Sequence, residues 1–355
     1  MFKSQTLFII GAGASKDIGF PLGATLFANI SETLDFYFDF GNLKSGDGDF
    51  LDILNRHFQD RSVVNTYLQG ARKIAHSGGL ASSVDQFIDT HFNDETIQLC
   101  GKTAIIYHIL KAEKDSSFSE LDSNYDLSSN IAALKDTWQF KFSSLLFEGI
   151  RLEDLENLFR NISIICFNYD RSIEYFLPYA IMSQYAIDYP EAQKIVDNLH
   201  IIHPYGTVGT LPTPSGRGIS YGHDPYRLPI VGMKEQIKTF TEQVYDGEQL
   251  NEIKNLVANA ETIVFLGFGF LEDNMKLLTP SGQAKTKRVY ATAYRESDED
   301  RKVFAERIFS MLYPSSSLED FKSVVEQGNL DIKIDDCDCL ELFKQYGRRI
   351  QTAIN

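Results

Sequence analysis

Residues 7–15, Leu7-Phe8-Ile9-Ile10-Gly11-Ala12-Gly13-Ala14-Ser15, decide how the chain reads. Four apolar residues in a row, with no polar alternation, fit a short strand buried on both faces, as in parallel sheets. The glycines that follow turn the chain sharply. Residues 20–38 then carry apolar side chains at helical spacing (Leu22, Leu26, Ile30, Leu34), with Pro21 suited to a first turn. Strand, glycine turn and helix in that order make the opening unit of a nucleotide-binding α/β fold. Glycines let the backbone come close to a phosphate, and a helix N-terminus offers N–H groups and the positive end of a dipole. The full dinucleotide fingerprint has a third glycine where this chain has Lys16, so a tight turn with no ligand stays open as the other reading.

Working outward, further strands are expected at 162–167, 199–202, 262–266 and 288–292, each a short apolar run that ends in small or polar residues. Residues 50–160 keep a helical pattern instead, at 50–58, 63–75, 96–111 and 131–148. Polar, glycine-bearing loops are expected at 41–49, 77–83 and 114–130. Strands alternating with helices predict an α/β protein with a Rossmann-like, doubly wound parallel sheet. The helical stretch is too long for an ordinary crossover. It reads as a large helical insertion between the first and second strands. Residues 1–30 and 155–355 would form one discontinuous sheet domain, and residues 31–154 a helical subdomain over its crevice. Residues 304–312 and 340–350 have helical spacing and suit helices that cover the sheet or meet another copy.

The 355 residues carry 34 Lys and Arg against 49 Asp and Glu, a formal net charge of −15. That balance argues against coating a phosphate backbone, which needs a basic face, so no direct nucleic-acid partner is expected. The four cysteines, Cys100, Cys166, Cys337 and Cys339, lack the spacing of a zinc module and are too few for a disulfide scaffold. The N-terminal apolar run meets glycine too soon for a signal peptide, and residues 263–271 are half a membrane span. A cytoplasmic protein with no membrane partner and no metal is expected.

Polar clusters follow the strands. Phe167-Asn168-Tyr169-Asp170-Arg171 puts an amide and a carboxylate two residues apart, able to orient a ribose hydroxyl or a water, or to cap a helix. His203 opens a Pro/Gly loop and suits proton transfer near neutral pH, or a structural role. His200, three residues earlier, would face the other side of its strand, so the two are not a metal pair. Gly267-Phe268-Gly269-Phe270 with Asn274 permits backbone contact with a ligand, or marks a strand bulge. Ligands of doubly wound sheets sit beyond the carboxyl ends of the strands, so these clusters are expected to converge on one crevice.

In order and spacing, GAGAS from Gly11, FNYDRSIE from Phe167, HPYGTVG from His203 and GFGFLEDN from Gly267 resemble the sirtuin-like (silent information regulator two-like) family. The likeness is strongest to its bacterial branch from antiphage defence systems, and it spans residues 7 to about 275. The resemblance implies that NAD is the substrate. The glycine loop (Gly11, Ala12, Gly13, Ala14 and Ser15) would contact its phosphates. Asn168 and Asp170 would hold the nicotinamide ribose and the reacting water, and His203 would be the general base. Gly206, Gly267, Phe268, Gly269 and Asn274 would complete the NAD site, and Ser83-Val84-Asp85 also matches a family segment. Two departures separate the chain from the family's protein deacylases: it cannot build their four-cysteine zinc module, and Pro204 and Tyr205 stand between His203 and Gly206. Both suit the defence branch, whose members hydrolyse NAD to deplete the infected cell in abortive infection. The resemblance leaves an NAD-dependent protein deacylase and a non-catalytic NAD or ADP-ribose sensor as alternatives. It also implies control through a homo-oligomer, a regulatory partner encoded nearby, or both. In the resembling systems such partners include a hexameric DNA-translocase ATPase and subunits that sense nucleotides or phage proteins.

Overall fold

Strand β1, Thr6–Ile10, opens the chain with all five residues buried. A computed structural model describes residues 2–77, 81, 83–122, 126–213, 216–245 and 247–354. The further strands are β2 (Tyr37–Asp39), β3 (Asn42–Ser45), β4 (Ile162–Cys166), β5 (His200–Ile202), β6 (Thr262–Leu266), β7 (Arg288–Thr292) and β8 (Asp331–Asp335). Six of them form one parallel sheet in the order β5-β4-β1-β6-β7-β8. β1 sits in the middle, with Phe8 level with Ile164 on one side and Val264 on the other. β4 and β5 wind away in one direction and β6, β7 and β8 in the other, so the winding reverses at β1. This is the Rossmann-like, doubly wound arrangement.

Burial follows position. β1, β6 and β7 are buried along their whole length, whereas the edge strands β5 and β8 are partly exposed. Each fully buried Ile, Leu or Phe side chain contributes roughly 1.5–3 kcal/mol, so the apolar runs specify the centre of the sheet. On one face of β1, Phe8 packs edge-on against Phe142 and close to Phe343. Those rings come from the helices Trp138–Phe147 and Cys339–Gln351. The second of these is one of the helices expected near the C-terminus; Asp298–Leu312 is the other.

Residues between β1 and β4 are mostly helical, with the helix Glu95–Asp115 at their centre, buried on nearly every side and capped by the Asp94 carboxylate. Three local expectations need correction. The helix expected over 20–38 is a helix over Gly23–Leu34, preceded by a tight 3-10 stretch, Ala12–Ile18. The rest of that run, with part of the expected loop 41–49, is the β2–β3 hairpin. Its turn uses left-handed Phe40 (φ 45) and Gly41 (φ 81), the geometry of tight hairpin turns. The apolar residues Phe36, Phe38 and Phe40 are spaced for a strand, but the helical pattern before them masked it. β8 was not expected at all: as an edge strand it offers only Ile332 and Ile334 as apolar residues. The loops read at 77–83 and 114–130 lie partly outside the described residues. Among the described residues, no helix is long and apolar enough to cross a membrane.

Candidate functional site

Where the winding reverses, the turns after β1, β4 and β6 meet. With the ends of β7 and β8 they line a cavity of about 820 Å³. Gly11, Ala12, Gly13, Ser15 and Lys16 come from the first turn, Asn168, Tyr169 and Asp170 from the second, and Gly267, Phe268 and Gly269 from the third, with Asn274 from the helix Glu272–Leu278 that follows it. Asp85, Ile109, Tyr205 and Phe240 close other sides. Both position and size suit a small-molecule site.

The two glycine turns are built on each other. Gly11 N–H donates to the Leu266 carbonyl at 2.9 Å and Gly13 N–H to the Gly267 carbonyl at 3.0 Å. A Cβ on Gly13 would lie 2.7 Å from Gly267 Cα, and one on left-handed Gly267 (φ +57) 2.1 Å from Ala14 N. Glycine is therefore required here by backbone meeting backbone, and two N–H groups of the loop are already engaged. Gly267 N–H in turn donates to Thr292 Oγ1 at 2.8 Å, which ties in β7. The indole of Trp138, the only tryptophan, donates to the Ala14 carbonyl at 2.6 Å and holds the first turn from behind. Gly269 differs: a Cβ there would meet nothing within 4 Å.

Ser15 joins the first turn to the second. Its Oγ donates to Asp170 Oδ2 at 2.9 Å and accepts from Asn168 Nδ2 at 3.0 Å. Asp170 Oδ1 accepts from Ser172 N–H at 3.1 Å, so the carboxylate both satisfies the first N–H of the helix Ser172–Tyr185, whose cap residue is Arg171, and fixes Ser15. Asp170 thus serves the start of the helix and, with Asn168, also lines the cavity. Asn168 Oδ1 accepts no hydrogen bond from a described residue.

From the cluster after β5, only Tyr205 lines the cavity; His203 and Gly206 do not. His203 stands behind Asn168, with Nδ1 at 2.9 Å from the Asn168 carbonyl and Nε2 at 2.8 Å from Glu174 Oε1. Gly206 (φ +77) is bridged to Ile237, and a Cβ on it would lie 1.8 Å from the Gln236 carbonyl oxygen. Its glycine serves this close packing. Asn274 reaches the wall with its Oδ1 already accepting from Tyr205 O–H at 2.6 Å. Phe268 is buried against Phe167, Phe265 and Phe270.

Several wall residues were not singled out from sequence. Thr292 ends β7 and Ala293 and Tyr294 follow it, and Cys337, Asp338 and Cys339 follow β8. The alternation in Asp331–Asp335 was the available signal for the second set. Tyr169 donates its hydroxyl to Asp85, whose carboxyl burial pushes above the ordinary range against the pull of that bond. Among the described residues of the lining, Lys16 is the only cation, its Nζ 5.0 Å from the centre of the Tyr294 ring. Against it stand Asp17, Asp85, Asp89, Asp170, Glu272, Asp273, Glu296 and Asp338. Among the described residues, no cluster of three or more His, Cys, Asp or Glu side chains is arranged to hold a metal ion. Compared with protein-family models and with curated proteins, the chain matches none.

Proposed function

We propose that the chain is an NAD glycohydrolase, cleaving the nicotinamide–ribose bond with water to give nicotinamide and ADP-ribose. The observation that carries this reading is the Asn168 side chain. It stands on the cavity wall at the switch point, one end of its amide fixed on Ser15 and the other, Oδ1, open to a ligand. An amide held in this way presents a fixed acceptor to a ribose hydroxyl or a water. In the reaction the bond from C1′ to the ring nitrogen breaks, and its electron pair neutralises the pyridinium. The water oxygen bonds to C1′ and gives up a proton. The reacting carbon is oxocarbenium-like, and a wall rich in carboxylates favours positive charge there. Asp170, joined to Asn168 through Ser15, and Asp85, joined to the neighbouring Tyr169, are the groups placed to take the proton. The same wall opposes the two phosphates, so their binding falls to Lys16 and to the backbone dipoles of the first turn.

An enzyme that drains NAD needs control. The defence reading supplies it: a toxic effector in the cytoplasm, switched on by a partner or by assembly, with residues 31–154 as the helical cover of the site. A second reading, a non-catalytic ADP-ribose sensor, is favoured by one observation: both ring nitrogens of His203 are engaged, away from the cavity. The test is to mix the purified chain with NAD, alone and with the product of the neighbouring gene, and follow free nicotinamide. Release in at least one mixture, reduced on the order of 10²-fold in Asn168→Ala, is expected for a lost positioning group. ADP-ribose binding without release in any mixture would establish the sensor instead.

A further inference from the structure

The ring of His203 touches two acceptors. Nδ1 faces the main-chain carbonyl of Asn168 at 2.9 Å, and Nε2 faces the Glu174 carboxylate at 2.8 Å. Neither acceptor has a proton to give at neutral pH, so both ring nitrogens must donate. A ring with two donors is an imidazolium. His203 and Glu174 are nearly buried, their side chains 10% and 24% exposed, and Glu174 Oε2 is buried without another hydrogen-bond partner. The carboxylate is therefore committed to this one cation. Glu174 lies in the first turn of the helix Ser172–Tyr185, where the helix dipole also favours a negative charge.

We infer that Glu174 is a positioning residue of the proposed reaction, holding His203 as a two-ended donor whose other end fixes the main chain of Asn168. The chain of contacts runs Glu174, His203, Asn168 carbonyl, and then through the Asn168 side chain to Ser15 and the cavity. His203 acts on the reaction through Asn168, as a donor, and not as a proton acceptor.

The surroundings agree. Burial pulls the imidazole down, but Cys166 and the Glu174 carboxylate outweigh it and place His203 well above its ordinary value. Burial raises the thiol of Cys166, at the end of β4, and the His203 cation pulls it back down. Burial raises Glu174, and the His203 cation more than offsets that, leaving it below the ordinary carboxylate range. Asp170 and Arg171 act from the turn between the two; Arg171 is drawn away to Glu113 at 2.5 Å.

This consequence for catalysis rests on the NAD-cleaving reading, but the ion pair can be tested without it. Nitrogen-15 NMR of the ring in the whole chain should show a doubly protonated His203 persisting above pH 7.5. In Glu174→Gln it should titrate near an ordinary imidazole value of about 6.5. For nicotinamide release, Glu174→Gln should lower kcat about tenfold or more with KM little changed. It should also give a new limb in which activity falls as pH rises through about 6.5. A general base would make activity rise over the same range. Glu174→Asp should recover part of the loss, and thermal melting checks that each variant is folded. A neutral His203 in the wild type, or a folded Glu174→Gln with unchanged kcat and pH profile, overturns the assignment. If no wild-type preparation releases nicotinamide while the NMR shows the imidazolium, the NAD-cleaving reading fails and the ion pair stands. Calorimetry with ADP-ribose then decides: affinity at least tenfold weaker in Glu174→Gln supports the positioning role, and unchanged affinity overturns it.

Discussion

Two polar clusters leave the turn after β4 in opposite directions. Arg171 points inward and spends its guanidinium on Glu113 and on the carbonyls of Gly209, Thr210, Ile219 and Ser220. Glu113 in turn accepts from Gly222 N–H at 3.1 Å. Arg171 is 2% exposed and Glu113 0%, and the pair clamps the loop after β5 to the helix Glu95–Asp115. Asn168 and Asp170, three positions and one position earlier, face the cavity beside Ser15, and Asn168 keeps an open acceptor. Adjacent residues of similar polarity thus do different work. A cluster whose valences are all satisfied inside the protein holds the fold, whereas one left open toward a cavity is available to a ligand.

The closed cluster should give the largest effect when broken. Glu113→Ala leaves a buried guanidinium without its counter-charge, which costs about 3–5 kcal/mol. Urea unfolding measures it, and a loss below about 1 kcal/mol would remove the clamp from this account. The glycine turns divide in the same way. Gly267→Ala forces a side chain into a left-handed position against Ala14 N, and should cost at least about 1–3 kcal/mol.

The His203–Glu174 pair should give a smaller effect, visible in pH. Folded His203 keeps its proton above the ordinary 6.5, so its contribution is complete below that pH and fades as pH rises through the folded value. Folded Glu174 stays ionised below the ordinary 4.5, so its contribution is present above that pH and fades as pH falls through its lowered value. The stability excess of the wild type over His203→Gln should therefore shrink above pH 6.5 and again below pH 4.5. Unfolding midpoints across this range check it; an excess that grows with pH above 6.5 contradicts the ion pair. The smallest effect belongs to Gly269→Ala, where a Cβ meets open space. Its stability should change by less than about 0.5 kcal/mol, with any loss confined to ligand affinity.

The centre of the fold was legible because β1 and β6 carry four apolar residues in a row, and β4 and β7 are predominantly apolar, as a doubly covered sheet requires. The β2–β3 hairpin was hidden by the helical pattern leading into it, and β8 by its edge position. Within the site, the strand-end location of Asn168 and Asp170 was readable from spacing alone. The surroundings of His203 were not. Its partner Glu174 lies 29 positions away in the chain, and only the folded packing brings them together. The same holds for the glycines. Their pattern announced close approach, but the approach is of one turn to the other, and nothing in either motif names its partner.

The most direct test of the central claim, that the open cluster at the switch point is the dinucleotide site, is calorimetric titration of the whole chain with ADP-ribose. The wild type should bind at one site per chain, and Asn168→Ala at least tenfold more weakly while unfolding at nearly the same urea concentration. Wild-type affinity in a folded Asn168→Ala, or no binding by the wild type at millimolar ADP-ribose, would contradict it.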